Sequence, residues 1–255
     1  MQANKIAVAG ATGRVGRHVV DVLGARGHDV VAIARSRGVD VITGDGLADA
    51  LDGVTSIVDA ATGPSPDERE ATEFFATATR NLQEAGQRAG VRRIVVVSII
   101  GIDKLTAGYN VAKLVHEHST LAGPIPARVL RAAQFHEFVG QLMDWGRRNG
   151  SIHVPHMRTQ PVAARTVAEA LADLATSDDA EAPGAPIPEI AGPREERLVE
   201  LAKLYAARRG ETTPVEEVLD AANPDRELFA GGALLPSPHA TLAGPTFAEW
   251  LAATS

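Results

Sequence analysis

The stretch Gly10-Ala11-Thr12-Gly13-Arg14-Val15-Gly16 follows an apolar run, Ile6-Ala7-Val8-Ala9, and precedes an amphipathic one. Three glycines at this spacing between a strand pattern and a helix pattern mark a turn that side chains would block. Gly10 permits the tight turn, Gly13 lets backbone N–H groups approach a diphosphate, and Gly16 lets the helix pack closely. The helix N-terminus adds positive potential, so Gly10, Thr12, Gly13, Arg14, Val15 and Gly16 form a candidate dinucleotide-binding loop.

Short β-branched runs then alternate with longer amphipathic stretches, the pattern of βαβ units around a mostly parallel sheet. Strands are expected at about 4–9, 29–34, 39–42, 54–60, 92–98, 125–131 and 187–191. Helices are expected at about 14–26, 66–90, 109–122, 135–149, 165–177 and 194–209, and Gly27, Gly90, Gly123, Gly150 and Gly210 each follow a helical run. Ile94-Val95-Val96-Val97 is apolar throughout, as a strand covered by helices on both faces requires. The expected fold is therefore α/β, a Rossmann-type doubly wound parallel sheet with a small C-terminal substrate lobe. The core covers about 1–131 plus a strand near 187–191. Prolines from Pro155 to Pro224, Pro183 among them, break up the later half, so a lobe is expected over about 132–180 and 193–255 of one extended domain. Thr246-Phe247-Ala248-Glu249 is a capping box that opens a last short helix.

Among 255 residues there is no cysteine, which excludes disulfides, thiolate metal sites and a cysteine nucleophile. His116 and His118 are two apart on a helix and point to different faces, so no metal site is expected. Residues 1–9 hold nothing long enough for a signal peptide or membrane span, and a soluble, cytoplasmic protein is expected. With a formal charge of −7 and its arginine pairs scattered, the chain lacks a phosphate-tracking surface, and nucleic acid is not an expected partner.

The tip of the second strand decides which nucleotide fits. An NAD-type site wants an acid there, whereas this chain has Ala34-Arg35-Ser36-Arg37. The guanidinium of Arg35 suits a phosphate, and Ser36 adds a neutral donor, so the 2′-phosphate of NADP(H) is the better match. The alternative is that these arginines are ordinary solvated loop charges. Asp45, accepting from the adenine amino group, and Leu47, packing its ring, would follow the third strand. Ala60, Ala61 and Thr62 follow the fourth, where the two alanines leave room for the nucleotide; the glycines beside both segments also read as simple turns.

Tyr109 and Lys113 are four apart at the start of a helix pattern, so both project from one face. An ammonium near a phenol favours the phenolate and proton exchange at neutral pH. Together with the GATGxxG loop, the segments Val97-Ser98-Ile99-Ile100-Gly101-Ile102-Asp103, Tyr109-Asn110-Val111-Ala112-Lys113, Leu130-Arg131-Ala132-Ala133-Gln134-Phe135-His136-Glu137-Phe138 and Ala191-Gly192-Pro193 resemble atypical short-chain dehydrogenases/reductases of the NmrA-like, NAD(P)H-binding group.

That resemblance implies a Rossmann fold and a bound dinucleotide. It makes Tyr109 and Lys113 the acid/base pair, with Lys113 also on the nicotinamide ribose, and Ser98 the hydroxyl that orients a substrate carbonyl. Ile99 and Ile100 stand where active relatives often carry that hydroxyl. Phe135, His136 and Phe138, with His153 and His156, are candidates to line an aromatic, quinone-like substrate pocket. The expected activity is NADP(H)-dependent hydride transfer between the nicotinamide and a carbonyl or quinone-like small molecule. The rival is a non-catalytic NADP(H)-sensing regulator with a protein partner, and a homodimer is also compatible with the sequence.

Overall fold

A computed structural model describes residues 3–177 and 185–254. Pro183 and the expected lobe boundary near 180 lie outside the described residues. In chain order the elements are β1 (Lys5–Ala9), α1 (Gly16–Ala25), β2 (Asp29–Ile33), a 3-10 turn (Arg35–Arg37), α2 (Leu47–Ala50), β3 (Ser56–Asp59), α3 (Glu68–Ala89) and β4 (Arg93–Ile99). A second 3-10 turn (Ile102–Lys104), α4 (Tyr109–Leu121), β5 (Ala127–Ala132), α5 (Phe138–Trp145), β6 (Arg147–Arg148), β7 (Ser151–Pro155), β8 (Arg158–Thr159) and α6 (Ala164–Thr176) follow. The chain continues through β9 (Glu189–Ala191), β10 (Glu196–Arg197), α7 (Leu198–Arg208), β11 (Val215–Val218), α8 (Arg226–Gly231), β12 (Thr241–Leu242) and α9 (Phe247–Ala253).

Among the described residues the main sheet has seven strands in the order β12-β9-β5-β4-β3-β1-β2. The pairings β1 with β2 and β3, β3 with β4, and β9 with β5 and β12 are all parallel. Together with the flanking helices this is the Rossmann-like α/β fold that the βα alternation predicts. Its central strands are apolar because both faces are covered: Ile6, Ala7, Val8 and Ala9 are fully buried, as are Ile57 and Val58.

The longest helix shows how local chemistry sets boundaries. Asp67 caps α3 by accepting from the Glu70 amide, Glu68 and Glu70 stand in its positive first turn, and Arg88 stands in its last. Gly90, at φ 76°, closes it in the left-handed conformation. Such a cap contributes about 1 kcal/mol.

The strand expected at 39–42 does not form. Gly38, Gly44 and Gly46 all have positive φ, and a Cβ on Gly46 would fall 2.7 Å from the Gly38 carbonyl oxygen, so the segment folds back on itself. Its polar groups are satisfied locally. The Asp40 amide donates to the Asp45 carbonyl, and the Gly44 amide donates to the Asp40 carbonyl. From α3, the Asn81 side-chain amide donates to the carbonyls of Val41 and Ile42. With that strand absent, β2 becomes the sheet edge.

The chain divides into two compact units. The first comprises Met1–Ser98, Gly108–Leu130 and Val167–Ile187; the second comprises Ile99–Ala107, Arg131–Thr166 and Pro188–Ser255. The core of the first gathers Ala7, Ile33, Leu51, Ile57, Leu82 and Ile94. In the second, β6, β7 and β11 form a small mixed sheet, β8 pairs antiparallel with β10, and Ile152, Val154, Leu198, Leu201 and Phe247 are central to the core. The capping box at Thr246 and Glu249 is present and opens α9.

Candidate active site

The glycine loop lies in the first unit and is as tight as its sequence demands. Gly10 sits at φ 72°, and a Cβ there would come within 2.6 Å of the Ala60 carbonyl oxygen. A Cβ on Gly16 would approach the Gly10 carbonyl oxygen to 2.1 Å, and one on Gly13 would approach it to 3.1 Å. The turn is clipped by the Gly13 amide donating to the Gly10 carbonyl and the Gly10 amide donating to the Ile33 carbonyl. Thr12 is exposed, Gly13 and Arg14 are half-buried, and Val15 is buried. Helix α1 has no side-chain cap and no acid in its first turn, so its positive end remains available to an anion. A side-chain-free cradle at an uncapped helix start fits a dinucleotide diphosphate.

Arg35, Ser36 and Arg37 form the 3-10 turn immediately after β2, all three exposed, and no acid stands at that tip. Asp45 lies in the turn that replaces the expected strand, with its amide donating to the Thr43 hydroxyl. Leu47 is fully buried in the core of the first unit rather than presented as a ring platform. Ala60 and Ala61 follow β3 directly; the Ala60 amide bonds the Ala9 carbonyl, and the Ala61 amide bonds Asp59 Oδ1 at 3.0 Å.

Tyr109 is the first residue of α4, preceded by Gly108 at φ 70°, whose amide donates to Glu68 Oε2 at 2.7 Å. The Tyr109 and Thr62 hydroxyl oxygens are 3.0 Å apart. Burial raises the phenol's pKa and the Asp59 charge adds to this, while the Thr62 hydrogen bond opposes them. Tyr109 therefore holds its proton at neutral pH.

Lys113 is turned inward. Its Nζ lies 2.9 Å from His116 Nδ1, and His116 Nε2 lies 3.0 Å from Asp59 Oδ2, with all three side chains buried. The Phe75 ring stacks on His116 with centroids 4.5 Å apart and holds Nζ of Lys113 at 4.6 Å from its centre. Its edge meets Tyr109 at 5.8 Å. Burial pushes the ammonium of Lys113 down to about 8, with Asp59 and Glu117 opposing the fall. Burial also lowers His116, helped by the Lys113 charge. Burial alone would raise Asp59; the hydrogen bond from His116 and the neighbouring positive charge outweigh it and hold the carboxyl below its usual range. The hydrogen-bond contact of the Lys113 ammonium is to His116, and through it to Asp59.

Ser98 lies at the end of β4, buried, and its hydroxyl has no hydrogen-bond partner among the described residues. An unsatisfied hydroxyl at this depth costs about 1–3 kcal/mol unless something bonds it.

The structure brings Ser98, Tyr109, Lys113 and Thr62 into the first unit with the glycine loop. Phe135, His136 and Phe138 belong to the second unit. His136 is fully buried there, its Nε2 is 3.1 Å from the Pro245 carbonyl oxygen and its ring lies against Phe247 and Trp250, so it packs α9. Phe135 makes a bridge to Val162, and the Phe138 ring meets Trp145 edge-on. His153 sits in β7 and His156 just beyond it. Asp59 and Phe75 escaped the sequence reading, and His116 was weighed there only as a metal ligand. The signals were an acid closing the apolar pair Ile57-Val58 at the end of β3 and a histidine three residues after Lys113.

Replacing Thr62 by Val removes the one contact that holds the Tyr109 pKa down. The alkaline absorbance step of Tyr109 is expected to move further up, read against Tyr205, the chain's other tyrosine. An unmoved step would show that the hydroxyl pair is not formed.

No helix among the described residues is long and apolar enough to cross a membrane. Nor do the described residues contain a cluster of three or more metal-ligating side chains.

Residues 10–133 match the model of a family described as NAD(P)H-binding. A curated relative, sterol demethylase protein B of Methylococcus capsulatus, is 35% identical over 133 residues, which are 45% of this chain and 39% of that protein. The chain thus matches well under half the length of that relative. Among solved structures, MoeE5 in complex with UDP-glucose and NAD superposes with a TM-score of 0.72 at 20% identity, over 98% of this chain and 96% of that one. The Citrobacter sp. triphenylmethane reductase complexed with NADP(H) gives 0.69 at 20% identity, over 97% and 99%. At this identity the two structures speak for the fold, and they hold different nicotinamide nucleotides. The glycine cradle, the parallel sheet behind it and the family match lead to one conclusion: residues 10–133 of this chain carry the features of the NAD(P)H-binding family on a Rossmann-like α/β fold.

Proposed function

We propose that the protein is an NADP(H)-dependent oxidoreductase acting on a carbonyl or quinone-like small molecule. The observation that carries this reading is Tyr109, a protonated phenol paired with Thr62 in the same unit as a glycine cradle for a dinucleotide. In this reading the amides of Arg14 and Val15 hold the diphosphate beside Gly13, Arg35 and Ser36 hold the 2′-phosphate, and Asp45 meets the adenine amino group. Ala60 and Ala61 leave the space a nucleotide needs. NADPH, when bound, supplies the hydride that the substrate carbon receives.

Tyr109 Oη donates the proton that the reduced oxygen takes up, and Thr62 holds the phenol in place for that transfer. Lys113 supplies a nearby positive charge as the negative charge grows on Tyr109, and its ammonium can bond the nicotinamide ribose. Ser98 orients the substrate oxygen, a role supported by its unpartnered hydroxyl.

Oxidation of NADPH by a panel of quinones, aldehydes and ketones tests the activity. Turnover with at least one class is expected; binding without oxidation across the panel would replace this reading with a dinucleotide-sensing one. Replacing Arg35 by Ala is expected to weaken NADPH about tenfold to a hundredfold by calorimetry, with NADH barely changed, because only NADPH carries the extra phosphate. An unchanged preference would refute the assignment of Arg35.

A further inference from the structure

The cluster behind Tyr109 contains more charge than a core needs. Asp59, Lys113, His116 and Glu117 are all at most 5% exposed, and apolar side chains of the same volume would cost less to bury. Groups perturbed this far by burial and by each other gather where chemistry is done. An ammonium offers three donors and no acceptor, so the 2.9 Å contact requires His116 Nδ1 to accept from Lys113. The ring proton then sits on Nε2 and is donated to Asp59 at 3.0 Å. Phe75 fixes the arrangement, since the same ring touches Tyr109, Lys113 and His116.

We propose that Asp59 and His116 are positioning residues of the reaction centre, which keep the buried Lys113 ammonium charged and fixed one helical turn from Tyr109 through His116 in its neutral Nε2–H form. The inference rests on the reading of Tyr109 and Lys113 as the acid and its supporting cation. The charged and titratable groups facing Lys113 are Asp59 from β3 and His116 and Glu117 from its own helix; α3 presents the uncharged Phe75 ring, which also meets Tyr109. His116 acts as a polar spacer that conveys the Asp59 charge to an ammonium with no carboxylate of its own in hydrogen-bond contact among the described residues.

Lys113 is charged below about 8 and loses its proton above it. NADPH affinity and turnover are therefore expected to fall as pH rises through that value. In Asp59→Asn the anion that sustains the ammonium is gone, and the fall is expected about one pH unit lower. His116→Leu is expected to shift it in the same direction, while His116→Gln, whose carbonyl accepts from Lys113 and whose amide donates to Asp59, restores it. A fall at the same pH in Asp59→Asn and His116→Leu would overturn the proposal.

A second readout uses the unliganded chain with nitrogen-15 in its histidines. One imidazole, absent from His116→Gln, is expected to show the neutral Nε2–H pattern through about pH 6–7, where an unperturbed imidazole changes charge. An imidazolium or Nδ1–H pattern at neutral pH would overturn the proposal even if the variants fold poorly. The two readings separate: NADPH binding without turnover sinks the oxidoreductase reading, while the affinity profile and the histidine resonance still judge the network.

Discussion

Replacing Tyr109 by Phe is expected to cut turnover by about 10²–10⁴-fold while leaving NADPH affinity close to that of the wild type. The reason is local. The phenyl ring keeps its edge contact with Phe75 and its place at the start of α4, so the only group removed is the hydroxyl beside Thr62. The fold should lose no more than about 1 kcal/mol, the net contribution of one hydrogen bond at a partly solvated position. Steady-state rates with any substrate from the carbonyl and quinone panel, set beside a binding titration of the same variant, check this. Equal turnover in Tyr109→Phe would remove Tyr109 from the chemistry and leave the proton source unassigned.

A larger effect on binding is expected from Gly16→Ala. A Cβ at this position would sit 2.1 Å from the Gly10 carbonyl oxygen, against backbone that cannot rotate aside. Helix α1 must move away from the turn, which costs about 1–3 kcal/mol of stability as overpacking does. The displacement also pulls the Arg14 and Val15 amides, just before α1, away from the diphosphate they would bond. Losing two charge-assisted hydrogen bonds corresponds to more than about a hundredfold in affinity. Thermal melting and nucleotide titration of the same sample separate the two consequences. A variant that melts as the wild type does and binds NADPH equally well would show that the turn is looser than its geometry requires.

The fold was legible because its punctuation is local. Strands that are apolar on both faces and helices closed by Gly27, Gly90 and Gly210 carry their boundaries in neighbouring residues. The segment 39–42 misled because Val39, Val41 and Ile42 have strand composition while Gly38, Gly44 and Gly46 dictate a folded-back loop; turn geometry prevailed over β-propensity. The Tyr109 and Lys113 pair was visible as a one-turn spacing on a single helix. Its support was not, since Asp59 is 57 residues from His116 and meets it only when β3 and α4 come together. His136 looked like a pocket residue beside Phe135 and Phe138. Its burial against Phe247 and Trp250 depends on where the last helix returns, which no nearby residue announces.

The account stands on a dinucleotide held by the turn after β1, with its extra phosphate on the cation at the tip of β2. Calorimetric titration of the unmodified chain with NADPH and with NADH tests both halves at once. The account predicts stoichiometric binding of NADPH, at least about tenfold tighter than NADH, as one charge-assisted phosphate contact requires. No binding of either nucleotide, or tighter binding of NADH, would contradict it.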